Sequence, residues 1–418
     1  MSSGSLRNEP AFVRWATAEG VSLVGSAVTT VVLPLVVFEA TGSVTQTGVL
    51  YAMRVVPYML FGVIAGPLAD QGNRRVLIIG GNLAQGLLVA TIPLAQAFGV
   101  LTVAQVYVVG LLSATAFVFG DAAVFGAVPA LVGPERLSAA NGFLYSLGSG
   151  AEIAGPIVGG VLAALIGPAN AVWVDAASFL GAAAVQTTIR STFRVGPRPA
   201  DEPLAIRAQV GRALRFVRGQ RTVATLIGVG FGNSFAFGAV LGLLVPYAVT
   251  ELGLGDKDAR VGLLYGATGV GALLAGMVFA RLFRPERVRW LTPLTFLVSA
   301  TVAAGLAVAS LWVSAALLLV VFSWSISTTI NVGITYRQLA APDDLRSSVN
   351  VLGRMISWGG QPFGAACGAV VAGAASVSVA YAGAAAVMAV TGSAAVALLH
   401  RGGSTGLIAP DDASRGAQ

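Results

Sequence analysis

Long apolar runs separated by short polar breaks constrain this chain more than any other feature. Twelve of them fall at roughly 12–38, 46–68, 76–98, 103–128, 138–166, 171–189, 222–250, 260–283, 289–309, 313–338, 347–372 and 377–399. A helix rises ~1.5 Å per residue, so about 20 apolar residues cross the ~30 Å hydrocarbon core of a bilayer. The pattern predicts an all-α integral membrane protein of twelve transmembrane helices. Composition agrees, with 10% charged residues against about 25% in soluble domains, and a mean hydropathy of +0.82.

The net charge of +7 does not point to nucleic acid, because the arginines sit in short clusters between apolar runs rather than on a solvated face. One cysteine, Cys367, excludes an intramolecular disulfide. With one histidine, His400, a Cys/His metal centre is not expected either. The polar start, residues 1–11, leads into a run too long for a signal-peptide core, so the first helix is expected to stay.

Basic residues concentrate in every second break. Arg7 and Arg14 precede helix 1, Arg74 and Arg75 follow helix 2, Arg136 follows helix 4, and Arg190 to Arg221 holds eight arginines. Arg281, Arg284, Arg287 and Arg289 flank the helix 8 to 9 turn, with Arg337 and Arg346 at the helix 10 to 11 turn. Read by the positive-inside rule, both termini are cytoplasmic. The expected organisation is a cytoplasmic N-terminus (1–11), a six-helix bundle (12–189), a cytoplasmic linker with an amphipathic helix (190–221), a second six-helix bundle (222–400) and a disordered cytoplasmic tail (401–418).

The two halves resemble each other. Leu33-Pro34 with Glu39 recurs as Val245-Pro246 with Glu251, Gly48-Val-Leu-Tyr51 as Gly262-Leu-Leu-Tyr265, and Pro134-Glu-Arg-Leu137 as Pro342-Asp-Asp-Leu345. A duplicated unit gives two pseudo-symmetric six-helix bundles, with a substrate site expected at their interface.

Helix 5 carries the most informative local chemistry. Ala151, Gly155 and Gly159 recur at four-residue spacing, with Gly160 beside them, so one face lacks bulk and a neighbouring backbone can approach. Glu152 lies on the same helix, and Pro156 removes the N–H that would bond the Glu152 carbonyl. A carboxylate and a free carbonyl inside a membrane helix mark a functional site.

These features resemble the major facilitator superfamily over residues 12–400. The helix 2 to 3 loop, Gly66-Pro-Leu-Ala-Asp70-Gln71-Gly-Asn73-Arg74-Arg75, is similar to its loop signature, and Ala151 to Gly160 to its helix 5 antiporter signature. Asp175-Ala-Ala-Ser-Phe179 and Pro342-Asp-Asp-Leu345 resemble the exporter branch of macrolide-efflux and enterobactin-exporter proteins. Gln71 stands where the family usually has arginine, Ala151 where it has glycine, and the helix 8 to 9 loop lacks the signature aspartate. The resemblance implies that Asp70 latches a cytoplasmic gate against the positive end of helix 11 near Arg346, with Gly66, Arg74 and Arg75 in the same loop. Topology alone also accounts for the two arginines.

Counting depth along the helices places Glu19 and Asp121 in the cytoplasmic third, and Arg54 and Glu152 in the periplasmic half, so these pair by level. The resemblance turns them toward the cavity as proton-coupling candidates. A structural Glu152–Arg54 ion pair, and for Glu19 and Asp121 a hydrated cavity wall or helix-end capping, are the plainer alternatives. Asp175, near the periplasmic end of helix 6, reads as structural. In the second half, Phe231, Asn233, Phe235, Phe237, Trp324, Asn331, Arg354, Trp358 and Gln361 suit a large, partly apolar ligand, although such aromatics also serve packing.

Gly266-Ala-Thr-Gly269-Val-Gly271 matches a dinucleotide pattern by letters only, since no strand precedes it, and it reads as helix packing. There is no Walker loop, so ATP is not expected as the energy source, which leaves an ion gradient or the substrate's own; no cofactor is expected, and a proton gradient is the expected drive. The expectation is a monomeric exporter of a hydrophobic or amphipathic small molecule (a drug, antibiotic, siderophore or secondary metabolite) in the cell inner membrane. Its partners are substrate, lipid and protons, not nucleic acid. A proton symporter importing a small solute is the alternative within transport. A membrane-embedded receptor or enzyme would need a soluble domain or a nucleophile with a base, and His400 at the end of the last helix is poorly placed for that.

Overall fold

The computed structural model describes residues 6, 9–71, 73–189, 203–255, 258–342 and 345–400. Among these there is no strand. The first half holds α1 (Pro10–Thr41), α2 (Val44–Gln71), α3 (Arg74–Ala97), α4 (Val103–Val132), α5 (Leu137–Ile166) and α6 (Pro168–Thr187). The linker contributes α7 (Pro203–Gly219). The second half holds α8 (Arg221–Gly242), α9 (Leu244–Thr250), α10 (Arg260–Leu282), α11 (Val288–Val308), α12 (Trp312–Ala340), α13 (Arg346–Trp358), α14 (Gly360–Ala374) and α15 (Val377–His400). Among the described residues, nine helices are long and apolar enough to cross a membrane. Helices α2 and α6 and the α13–α14 pair occupy the remaining apolar runs.

Two runs expected as single helices are broken. The run at 222–250 divides at Leu243, and that at 347–372 at Gly359. A proline follows each break: Pro246 and Pro362 lack the N–H that would bond the carbonyls of Gly242 and Trp358, and the adjoining glycines tolerate the bend.

The chain forms two compact units, Met1–Ala200 with Gly242–Gly269, and Asp201–Leu241 with Val270–Gln418. In the first, α1 lies against α5 and α6, and its stretch from Val31 to Phe38 is buried on every side. That is why its hydrophobicity has no polar face: a helix enclosed all round needs none.

Each unit closes one end with an apolar cluster. Phe12, Trp15, Ala16, Ile78, Val128 and Ala140 build the first; Val223, Leu226, Ile227, Val288, Tyr336 and Val349 build the second. Phe12, Trp15 and Ala16 correspond to Val223, Leu226 and Ile227 at one constant offset, so the repeat seen in sequence motifs extends to packing. The predicted amphipathic linker helix is α7, whose Ala213 and Val217 enter the second cluster. Residues 190–202 of the linker, and the tail expected to be disordered, lie outside the described residues.

Buried polar groups between helices of the second unit satisfy one another. The hydroxyls of Ser299 and Ser325 are 2.6 Å apart, Thr329 donates to Thr295 at 2.8 Å, and Tyr381 donates to the Val240 carbonyl at 3.0 Å. In lipid, such bonds and close backbone approach replace the hydrophobic drive that holds soluble helices together.

At the start of α10, Asp258 accepts the Arg260 backbone N–H at 2.9 Å and its side-chain Nε–H at 3.0 Å. The Arg260 hydrogen bonds hold the Asp258 carboxyl below the usual carboxylate range. This contribution is present above the ordinary carboxylate pKa and is lost as pH falls through the depressed one. Asp258→Ala is therefore expected to cost about 0.5–1 kcal/mol at neutral pH, as for other helix-start acceptors. In thermal melts, the deficit should vanish in acid; a deficit that persisted there would exclude the ionised carboxylate as its source.

Candidate functional site

Helix α5 is the centre of the first unit's chemistry. Its small-residue face meets α1 on one side, where a Cβ on Gly155 or on Gly159 would lie 3.0 Å from the carbonyl oxygens of Val24 and Val28 respectively. Ala151, in the place of the family's first glycine, is 3% exposed, so its methyl is accommodated. The adjacent face meets the first turns of α10. A Cβ on Gly160 would lie 2.8 Å from the Ala259 carbonyl oxygen, and one on Gly262 would collide with the carbonyl of Pro156.

The carbonyl of Glu152 faces Gly269. A Cβ there would stand 2.7 Å from that oxygen, so only glycine allows α10 this close to the carbonyl that Pro156 leaves without a helical N–H. Gly266 meets the carbonyl of Ile153, and Gly271 meets that of Val320 on α12. The glycine pattern of α10 is helix packing, as expected. The Glu152 side chain is exposed. Among the described residues it takes part in no ion pair or hydrogen bond.

Of the two charge pairs expected by level, the fold brings together one. Glu19 on α1 and Asp121 on α4 are within electrostatic reach of each other. Arg54 does not meet Glu152. Its electrostatic neighbours are Asp175, Tyr51 and Tyr265, and its stem passes 3.5 Å from where a Cβ on Gly110 would be. Equal depth on two helices does not put two side chains on facing sides, and α6 supplies the carboxylate instead.

Asp175 is 2% exposed, packed against α1 at Gly25 with the hydroxyls of Ser26, Thr29 and Ser178 around it. Its Oδ1 has no hydrogen bond that meets strict geometry. The sequence reads Asp175 as structural and does not foresee Arg54 as its neighbour. The usable signal was a lone carboxylate in α6 together with the Gly25-Ser26 and Thr29 pattern of α1. Tyr51 and Tyr265 close the repeated motifs Gly48 to Tyr51 and Gly262 to Tyr265, so the duplication supplies two equivalent phenols to one arginine.

In the helix 2 to 3 loop, Gly66 and Asp70 lie on the α2 backbone, and the Asp70 side chain falls outside the described residues. Asn73 caps α3 by accepting the Arg75 N–H at 3.1 Å, and the Arg75 guanidinium donates to the Thr187 carbonyl at 2.6 Å, tying α3 to the end of α6. A cation there also complements the negative end of the α6 dipole. Arg74 keeps interactions of its own.

In the second unit, α8 packs on α14 through glycines. A Cβ on Gly360 would lie 2.9 Å from the Phe235 nitrogen, Gly364 fits against the Phe235 carbonyl, and Gly238 fits against that of Gln361. This close seam leaves Phe231 exposed at 36%, its ring 6.2 Å from that of Phe363. Phe235, Phe237, Trp324, Asn331, Trp358 and Gln361 are half-buried. Arg354 is exposed, with its guanidinium 5.3 Å from the Trp358 ring centre. Asn233 is 1% exposed and donates to the Ile326 carbonyl at 3.3 Å, so here it serves helix packing. Cys367 is an exposed free thiol, and no His, Cys, Asp or Glu cluster with metal-ligand geometry exists among the described residues.

The sequence matches the family model of the Major Facilitator Superfamily over residues 16–361. It is 25% identical over 381 residues to the enterobactin exporter EntS of Salmonella typhi, covering 90% of this chain and 89% of that protein. It is also 27% identical over 269 residues to the multidrug efflux pump Tap of Mycolicibacterium fortuitum, covering 62% of this chain and 64% of that one. Among solved structures, a bacterial homologue of the human lysosomal transporter Spinster matches with a TM-score of 0.72 at 16% identity, over 97% of this chain and 100% of that chain. A bacterial homologue of the iron transporter ferroportin matches with a TM-score of 0.73 at 16% identity, over 94% and 99%. At such identity the structural likeness is one of fold.

Proposed function

The chain belongs to the major facilitator superfamily, and from that premise we propose that this multi-pass membrane transporter is a proton-coupled exporter of hydrophobic or amphipathic small molecules. The observation that carries the coupling is Glu152: a carboxylate on an apolar helix, beside a proline and a glycine seam, with no charged or hydrogen-bonding partner among the described residues. Such a group ionises when its surroundings are wet and takes a proton when they are not. The export direction is supported by the relatives, which are an enterobactin exporter and a multidrug efflux pump.

In this reading protons act on the first six helices, through Glu152 and the Glu19–Asp121 pair, with Arg54 held near Asp175. The aromatic set of the second unit contacts the ligand, and Asp70 latches the cytoplasmic side. The membrane is the cell inner membrane, with both termini cytoplasmic. A ligand that meets aromatic faces is selected by shape and apolar area, which suits amphipathic compounds.

Everted membrane vesicles test it. With an acid interior, amphipathic compounds that carry no titratable amine should accumulate inside, and adding substrate should dissipate the imposed gradient. Trp358→Ala should change the relative rates among compounds by about tenfold, the scale of one lost aromatic contact, while the pH optimum stays in place. Uptake by right-side-out vesicles driven by an inward proton gradient would replace the exporter by a proton symporter.

A further inference from the structure

Arg337 stands in the last turn of α12, where the sequence suggests only a topology marker, yet it is 3% exposed. Two glycines make the room. A Cβ on Gly353 would lie 2.7 Å from its Cδ and Nε, and one on Gly333 would lie 3.3 Å from Nη1. Its Nε donates to the Asn350 Oδ1 at 3.4 Å, at the long limit of a hydrogen bond. Among the described residues this is its side-chain hydrogen bond, and it uses one of the five N–H donors of the guanidinium.

Among the described residues, the charge within electrostatic reach of it is a second cation, Arg354 on α13, one residue beyond the Gly353 that packs on the Arg337 stem. Neither arginine forms an ion pair among the described residues. Glu286, in a separate turn before α11, is the one described carboxylate of this unit; Asp343 and Asp344 fall outside the described residues. Two guanidinium groups drawn together, one of them buried, cost free energy unless an anion joins them.

We propose that Arg337, Arg354 and Asn350 form a subsite for an oxyanion, a carboxylate or phosphate group carried on an apolar body. The planar fork of Arg337 presents paired donors that match two oxygens of such a group. Asn350 accepts the Arg337 Nε–H at its Oδ1 and so keeps its amide N–H donors for the ligand. Trp358 holds the Arg354 guanidinium against its face and offers apolar surface to the ligand body. The inference rests on the exporter reading for its route, since it assigns an anionic group to the amphipathic substrate; binding itself is tested apart from transport.

The full-length chain, in nanodiscs of phosphatidylcholine with and without phosphatidylglycerol, is titrated calorimetrically with decanoate, decyl phosphate and decanol. The anionic probes should bind at least ~10-fold tighter than decanol, as expected for charge-assisted hydrogen bonds. Arg337→Gln and Arg354→Gln should each remove that advantage and leave decanol unchanged. Arg337→Lys, which keeps the buried charge and loses the fork, serves if the glutamine variant does not fold, and should lose part of it.

Competition by phosphatidylglycerol would assign the oxyanion to a lipid headgroup, and absence of competition to a soluble ligand; either supports the subsite. Equal binding of decanol and decanoate would overturn it. So would variants at both arginines without effect, or Asp343→Asn with Asp344→Asn exposing an anion site that the native chain lacks. Loss of anion binding alongside intact transport of neutral compounds would leave the exporter reading standing, whereas anion binding without any transport would do the reverse.

Discussion

Glu152→Gln is expected to abolish proton-driven transport while leaving substrate affinity within about threefold, less than ~1 kcal/mol. Glutamine keeps the size and most of the hydrogen-bonding surface of the side chain but cannot exchange a proton. In the native chain, the carboxylate has no counter-ion among the described residues, so its charge state is set by water and by the opening and closing of its surroundings. Removing the charge therefore removes the step that depends on the gradient. The variant should catalyse only gradient-independent exchange, with a flat pH profile between pH 5.5 and 8, in vesicles where the native protein responds to the gradient. Native coupling in the variant would move the proton site to the Glu19–Asp121 pair.

The second large effect is structural. Gly262→Val should destabilise the protein by about 3 kcal/mol or more, because the new Cβ meets the backbone carbonyl of Pro156 and the Cα of Gly160, which cannot swing aside as a side-chain tip can. Gly42, an open helix cap with φ of 60°, is an unsuitable control because a side chain there is strained. Gly383→Val supplies the control, since nothing lies within 4 Å of its Cβ direction. Thermal unfolding in detergent should show a large drop for Gly262→Val and a small one for Gly383→Val. Similar melting of the two would mean that α5 and α10 do not pack as tightly as the backbone contacts require. Gly269→Ala adds a functional reading of the same seam: a methyl pressed on the Glu152 carbonyl should slow transport more than it lowers stability.

Much of this was legible in the sequence because a bilayer makes length and hydropathy nearly sufficient. The apolar runs, the amphipathic linker helix, the duplication and the small-residue face of α5 are local properties of the chain. So is the reading of Gly266, Gly269 and Gly271 as packing, which follows from the absence of a preceding strand. Even the two helix breaks carry a local signal, in Pro246 and in Gly359-Gly360 with Pro362, although apolarity masked it.

What tertiary structure alone decided concerns direction around each helix. Residues counted from a helix end give depth, and depth placed Arg54 beside Glu152; the fold instead turns Arg54 toward Asp175 and the paired tyrosines. Four-residue spacing foretold a bare face on α5 but not that α1 and α10 would share it, because any backbone can approach a glycine. The same holds for Arg337, which in sequence is one more basic residue at a helix end. Only the assembled helices bury it between Gly333 and Gly353, because side-chain burial belongs to neighbours that the local sequence does not contain.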